Sequence, residues 1–545
     1  MSLVAIAMRV LDCNQPGQFD SFIAIHSITN RLTLIKLTFF MDRPSNTSKP
    51  LTYVSLFSCA GVGCYGFKMN KFECVATNEL IDARLNVQRA NHKCRIDSGY
   101  ISGDITLDST KSLLFSEIER WRTNYNVSSI DVVIATPPCQ GMSTVNYKKT
   151  ETEQVRNSLV IEAIRIIRDI RPKIFIFENV RAFLKTICTD VDGEDKPILD
   201  SISGNLSPEY NIAWRIINFK DYGVPSSRPR TLVIGTLKEF SELSPLLLFP
   251  TRCKEITLRN AIGDLCPLGY GEKDKEDPFH FARPYPLEQL NWIKNLSEGQ
   301  SAFEQDIEHQ PGRIDESGNK VINRGAYMGN KYRRLVWDKV CSCIHTRNDV
   351  MSSQDTIHPS DNRVLSIREL MRVMTVPDSF RWTPYDSELT PETSNEYLKQ
   401  HELNIRRCIG EAVPTHIMYD ISSKIKRYLR NIDNISDTHA STIFKHLERM
   451  TIGNKKNIDI LLEGSILCTS LFEQVISMFY DKDRVCIYVP EERSLMSLLK
   501  RITLPSNVDI IRGKHIKEPD YIVHDGVLEK YTVNSQLSLF DADSY

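Results

Sequence analysis

Short apolar runs separated by turn residues recur from Tyr53 onward, and their spacing sets the first expectations. The run Tyr53–Phe57 (YVSLF) reads as a strand that leads into a glycine-bearing turn, and Phe72–Leu80 (FECVATNEL) as a second strand. Gly103–Ile105 (GDI) marks the end of a third, Asp131–Thr136 (DVVIAT) is a fourth and Lys173–Val180 (KIFIFENV) a fifth. The last two are apolar through their central residues, as strands buried on both faces are. Between them Leu159, Ala163, Ile166, Ile167 and Ile170 recur at helical spacing and predict an amphipathic helix. Asn211–Phe219 and Arg230–Gly235 add two more strands. This alternation predicts a doubly wound α/β sheet.

The pattern breaks after about residue 240, where Pro, Gly and short polar clusters dominate up to about 360. Regular helix returns at Ser366–Met374, where Ser366 and Glu369 fit a capping box and Pro377 is expected to stop the helix. A further helix is expected over Thr415–Leu429. The last part again alternates, with NIDILLEG, RVCIYVP, VDIIRG and DYIVHDG as strand candidates of a small α/β unit. At the start, FIAIHSI and LTLIKLTFF are strand candidates, Pro44–Pro50 reads as a linker, and Met41 is an alternative start. The expected divisions are 1–50, 51–240, 241–362, 363–430 and 431–545.

Charge limits the choice of partners. Lys plus Arg number 68 against 69 Asp plus Glu, so a polyanion must meet a local basic patch. The best patch runs from Lys320 to Trp337. It holds Lys320, Arg324, Lys331, Arg333 and Arg334 with no acid, interleaved by Tyr327, Tyr332 and Trp337. The alternative is a solvated basic face. The 14 cysteines have no zinc-ligand spacing, so no metal site is expected, and scattered thiols suit a reducing cytoplasm. No run is long and apolar enough for a membrane span, and the opening MSLVAIAMRVL does not read as a signal peptide.

The chemistry concentrates at expected strand ends. After DVVIAT come Pro137, Pro138, Cys139 and Gln140. Prolines end a ladder because they lack a donor, which sets Cys139 on a stiff loop at the edge where α/β sheets bind ligands. The bland alternative is a buried structural cysteine. The turn Phe57–Phe67 places Gly61, Gly63 and Gly66 as G-x-G-x-x-G, which suits NAD or another adenosine cofactor. Glu79 at the next strand end can accept ribose hydroxyls, and Asp104 an adenine amino group, unless both are solvated strand-end acids. Glu178 follows an apolar IFIF run, so burial should raise its pKa. Arg228 and Arg230, two apart, should face one side of a strand, or else form a surface basic pair.

The ordered set LFSCAG, NEL, GDI, PPCQ, ENV, SRPR, RVLSIRELMRVMTVPDSF and IGEAVP resembles the DNA cytosine-5 methyltransferases of bacterial restriction–modification systems, over about residues 52–428. The resemblance implies a Rossmann-like methyltransferase domain that binds S-adenosylmethionine, and an irregular insert that recognises the target in double-stranded DNA. It implies Cys139 as the nucleophile that adds to cytosine C6, with Pro138 and Gln140 shaping its loop. Glu178 then holds N3 and the exocyclic amine, with Asn179 beside it, Arg228 contacts O2 and Arg230 supports the site. The target base must flip out of the duplex. Cofactor contacts map to Phe57, Ser58, Ala60, Gly61, Val62, Glu79, Leu80, Asp104, Ile105, Pro138, Leu159, Glu411 and Ala412, and Arg363 orients the recognition region against DNA.

Four positions depart from the family pattern. Cys59 and Val62 replace glycines of the first turn, Ser226 replaces a glutamine, and Glu411 stands where asparagine is usual. A carboxylate at 411 either weakens cofactor binding or makes other contacts. The rival readings are a tRNA methyltransferase of the same family, a catalytically silent DNA-binding regulator, and an NAD dehydrogenase. The last leaves PPCQ unexplained. The expected protein is a cytoplasmic, nucleoid-associated monomer, with a cognate restriction endonuclease as a partner. The extension beyond 431 is distantly similar to a degraded phospholipase-D-like half-domain without its H-x-K-x4-D motif. Gln536–Phe540 (QLSLF) matches the peptide that bacterial replication proteins dock into the sliding clamp.

Overall fold

The computed structural model describes residues 49–138, 159–240, 243–322, 328–383 and 391–431. Farther on it describes 456–463, 475–476, 478–479, 482–489, 504–512, 516, 519–524 and 527–530. The first strands are β1 (Thr52–Leu56), β2 (Glu73–Glu79), β3 (Tyr100–Ser102), β4 (Val132–Ala135) and β5 (Ile174–Val180). Helices α1 (Tyr65–Met69), α2 (Asp82–Ala90), α3 (Asp108–Tyr125) and α4 (Leu159–Ile170) fall between them. A small hairpin, β6 (Ile187–Thr189) and β7 (Asp195–Pro197), leads to α5 (Ile198–Leu206). The antiparallel strands β8 (Tyr210–Asn218) and β9 (Pro229–Leu237) complete the sheet.

Its seven strands lie in the order β3-β2-β1-β4-β5-β9-β8. The chain moves outward from β1 to β3 and then crosses over to β4, so the order reverses between β1 and β4. The carboxyl ends there bound the crevice in which doubly wound sheets hold ligands. The apolar runs make physical sense in this position. Val132 and Ile134 of β4 feed the core on one face, while Val133 and Ala135 feed the core on the other. Gly235 is required by packing: a Cβ there would fall 2.0 Å from the ring of Phe175. The expected doubly wound sheet and the helix over 159–170 are both present.

Two local expectations are corrected. GDI follows the third strand rather than ending it, because Gly103 takes φ +133° and breaks the extended run after Ser102. The helix at 366 has its capping box on Ser366 and Glu369, but it ends at Val373, with Thr375 at φ +54°; Pro377 comes too late to stop it.

The described residues between 243 and 364 form short pieces around two small cores, including α6 (Leu258–Ile262), α7 (Leu287–Ile293) and the hairpin β10 (Gly312–Ile314) and β11 (Lys320–Ile322). Within this span the chain meets the segment before β9, where Ser227 N donates to Cys341 O at 2.8 Å. Three helices follow: α8 (Ile367–Val373), α9 (Pro391–Glu411) and α10 (Thr415–Asn431). α9 was not anticipated.

The C-terminal strand candidates form β12 (Asn457–Glu463), β13 (Arg484–Val489), β14 (Val508–Arg512) and β15 (Tyr521–His524), joined by an unanticipated β16 (Val527–Lys530). Their order is β14-β13-β12-β15-β16, with only β16 antiparallel to its neighbour. This unit shares a core with the catalytic lobe. Ile458, Phe479 and Tyr521 belong to one apolar cluster with Leu247, Phe249 and Tyr428. Arg252 adds polar contacts, accepting from Ser506 N at 3.1 Å and donating to Lys482 O at 3.0 Å. Residues 1–48 and the Gln536–Phe540 peptide lie outside the described residues. No helix among the described residues is long and apolar enough to cross a membrane.

Candidate active site

The double-proline loop leaves β4 at the switch point and is held from two sides. Thr136 Oγ1 donates to Phe57 O at 2.9 Å, tying the loop to the turn after β1. Asn179 Nδ2 donates to Pro137 O at 2.8 Å, tying it to the end of β5. Asn179 is buried, so this bond is shielded from water. Cys139 and Gln140, the positions after Pro138, lie outside the described residues.

Glu178 sits one residue before that tether and is buried at the carboxyl end of β5. Burial pushes its pKa up, while Arg230 and then Arg228 pull it down, and the net direction is upward. The Nε of Arg230 stands 3.3 Å from Glu178 Oε1. The two arginines therefore act on one carboxylate, as their spacing predicts. They are not equivalent. Arg228 is buried, and its guanidinium donates to Ile344 O at 2.7 Å and Gly410 O at 2.9 Å. It joins β9 to the returning segment at 341–344 and to the end of α9. Burial and the neighbouring Arg230 lower its pKa. Asn218, which sequence reasoning missed, holds this corner by accepting from Arg228 N at 2.8 Å. Ser226 donates to Ser342 O at 3.1 Å, so that departure serves the same junction.

The turn after β1 shows how the candidate cofactor residues divide. Glu79 Oε2 accepts from Cys59 N at 2.7 Å and Oε1 from Ile81 N at 3.2 Å, which fixes the carboxylate at the end of β2. Beside it Leu80 is 66% exposed, an apolar surface with no protein cover. Gly61 takes φ +77°, and an added Cβ would press on Gln88 at 3.0 Å. Ser58 is turned inward, where its hydroxyl meets Thr77 and Gln88. Ala60, Val62 and Ala412 are buried in the core beneath α8 and α9, and Ile105 in the core beside α3. The apolar side chains at these positions pack inward. Asp104 accepts from Thr106 N at 2.9 Å, and Phe57 and Leu159 are half-buried.

Glu411 has other contacts. Its Oε2 lies 2.6 Å from Arg84 Nη2 and 3.5 Å from Cys59 Sγ. Arg84, in the first turn of α2, was missed because nothing local distinguishes it from any solvated helix arginine. The basic patch is corrected in part. Across 331–334, Lys331 and Arg333 are partly exposed, while Tyr332, at φ +47°, and Arg334 are buried. Arg334 is 3% exposed and donates to His358 O, Asp361 O, Ile293 O and Asn362 Oδ1. Arg363 is 2% exposed, with its guanidinium bonded to Asp361 and Glu369. Neither guanidinium can reach a phosphate. Lys320 donates to Glu308 O, and Arg324 lies outside the described residues.

The model of the C-5 cytosine-specific DNA methylase family matches residues 51–427. The chain belongs to this family. The type II methyltransferase M1.HgaI of Avibacterium volantium is 30% identical over 392 residues, which cover 69% of this chain and 98% of that relative. M1.HphI of Haemophilus parahaemolyticus is 28% identical over 365 residues, covering 66% and 87%. A solved Dnmt2 methyltransferase of S. pombe superposes with a TM-score of 0.41 at 13% identity, covering 70% of this chain and 99% of that one. The methylase thus has the reaction type and the restriction–modification relatives that its motif order implied, and its extension beyond 431 lies outside the family match.

Proposed function

We propose that this methylase modifies C5 of a flipped cytosine in a specific duplex sequence, with Cys139 as nucleophile, and protects DNA against a cognate restriction endonuclease. The observation that carries the reading is the Asn179–Pro137 bond, which draws the loop leading to Cys139 to the sheet edge that holds Glu178. A thiolate at Cys139 adds to C6, and the pair displaced from the C5–C6 double bond makes C5 nucleophilic. Glu178, biased toward its protonated form, donates to N3 as charge develops on the ring, and Arg230 steadies its carboxyl group. Arg228, whose terminal nitrogens are bonded to Ile344 O and Gly410 O, keeps Nε for O2 of the base. After transfer a base removes the C5 proton, and elimination of Cys139 restores the ring.

The residues fit S-adenosylmethionine. Glu79, held by two backbone amides, presents its remaining acceptor capacity to ribose hydroxyls; Leu80 offers an apolar face to adenine; Asp104 accepts from its amino group. When bound, the cofactor supplies an electrophilic methyl group. Residues 241–362 are assigned to target recognition, with the partly exposed Lys331 and Arg333 assigned to phosphate contact. Gln536–Phe540 is assigned to sliding-clamp binding, which a pull-down with and without that segment tests.

The deciding experiment measures labelled methyl transfer to duplex DNA and to tRNA, with Cys139→Ser alongside, followed by sequencing of converted cytosines. Methylation of DNA at one short motif, lost in the variant, is the expected result. Transfer to tRNA alone, or to neither, would overturn the proposal.

A further inference from the structure

Two departures from the family pattern, Cys59 and Glu411, lie 352 residues apart in sequence and meet in space. Cys59 stands at φ +47°, a backbone conformation that suits the usual glycine, and its thiol points at Glu411 and at the thiol of Cys408. Arg84 completes the group. It reaches Glu411 with Nη2 at 2.6 Å and Glu79 with Nη1 at 3.5 Å. Glu79 in turn accepts from Cys59 N at 2.7 Å. Four elements meet here: the turn after β1, the end of β2, the first turn of α2 and the last residue of α9. The Arg84 and Glu411 side chains are only 14% and 31% exposed, so their attraction is screened less than that of a surface pair.

We infer that Arg84 and Glu411 form a clasp that sets the ribose-binding carboxylate Glu79 and holds the end of α9 over the cofactor turn, replacing the family's asparagine with an ion pair. The inference rests on the assignment of Glu79 to the cofactor. Its physical basis is charge balance. Two carboxylates share one cation, and Arg84 sits closer to Glu411. Removing Glu411 frees Arg84 to move onto Glu79 and occupy the acceptor that the ribose needs. Removing Arg84 leaves two carboxylates facing each other across the site. Arg84 and Glu411 are positioning residues, since they act on the ligand through Glu79 and the turn.

The two losses must then offset each other, and the test is a double-mutant cycle on the full-length protein. Binding of S-adenosylhomocysteine is measured by calorimetry, and kcat and KM for S-adenosylmethionine by methyl transfer. Arg84→Ala and Glu411→Asn are each expected to raise Kd and KM about tenfold with kcat within about twofold, and the double variant to bind within about threefold of the parent. The charge-swapped pair Arg84→Glu with Glu411→Arg serves if a single variant fails to fold, and is expected to bind better than either of its component variants. Additive losses, or an unchanged Kd in Arg84→Ala, would overturn the clasp. Failure of the unmodified protein to bind S-adenosylhomocysteine would instead overturn the cofactor assignment beneath it.

Discussion

Glu178 and Asn179 divide the work at the end of β5. The carboxyl group of Glu178 is raised in pKa by burial and restrained by Arg230, while the Asn179 amide reaches back to Pro137. Glu178→Gln keeps the shape but removes the acid. It is expected to lower kcat by about 10²–10³-fold with S-adenosylhomocysteine affinity within about twofold, as removal of a charge-stabilising group does. Steady-state kinetics beside calorimetry check the split; a matching loss of cofactor affinity would place Glu178 elsewhere in the mechanism. Asn179→Ala frees the proline loop and leaves a buried carbonyl unpaired, at a cost of about 1–3 kcal/mol of local order. It is expected to reduce kcat about tenfold while duplex binding persists, which kinetics and a gel-shift titration together resolve. Both residues stand in a motif readable from the chain. The pairing with Pro137 is not, because Pro137 lies on the loop that follows a neighbouring strand.

At the scale of elements, the junction between the recognition region and α8 is a buried charge network. Arg363 grips Glu369 with two nitrogens, and His358 lies 3.5 Å from Glu369 and 3.6 Å from Asp361. Burial would raise the pKa of Glu369, but the bonds and charge of Arg363, aided by His358, bring it to about 2. Burial holds His358 down at about 4, against the attraction of Glu369. An unfolded histidine titrates near about 6.5, so between these values the unfolded chain takes a proton that the folded protein refuses. Stability is therefore expected to fall as pH drops from about 6.5 toward 4, and to fall further as Glu369 nears protonation. Thermal melts from pH 7.5 to 4.5 check this. His358→Gln should flatten the upper part of the slope, and an identical slope in the variant would exclude His358 as its source. The capping box of α8 was legible because it is local. The network behind it was not, because Arg363 reads in sequence as one more cation.

The whole molecule is more closely joined than its motif map suggests. The family match ends at 427, yet the sheet β14-β13-β12-β15-β16 extends the same apolar core as Phe249, Tyr428 and Leu429. Ending the chain after Asn431 would expose that face to water. The shortened protein is expected to melt at least ~10 °C lower and to bind a hydrophobic dye at room temperature, since losses of several kcal/mol move a domain's midpoint by such amounts. Differential scanning fluorimetry of both chains decides it. Equal midpoints would make the extension an independent unit.

The sequence alone determined the sheet, its ligand-binding edge and the reaction type. Strands buried on both faces announce themselves as continuous apolar runs, and chemistry confined to strand ends keeps its order along the chain. Only the tertiary structure decided which charged groups are free. Arg334 and Arg363 look like DNA-contacting cations in a list of residues, but folding turns them inward to carbonyls and carboxylates. Arg84 looks like solvated helix surface, but it meets Glu411 across 327 positions of chain. Local periodicity records which face of an element is apolar. It does not record which distant charge arrives beside it, because that pairing depends on through-space distance and burial, which exist only once the elements have packed.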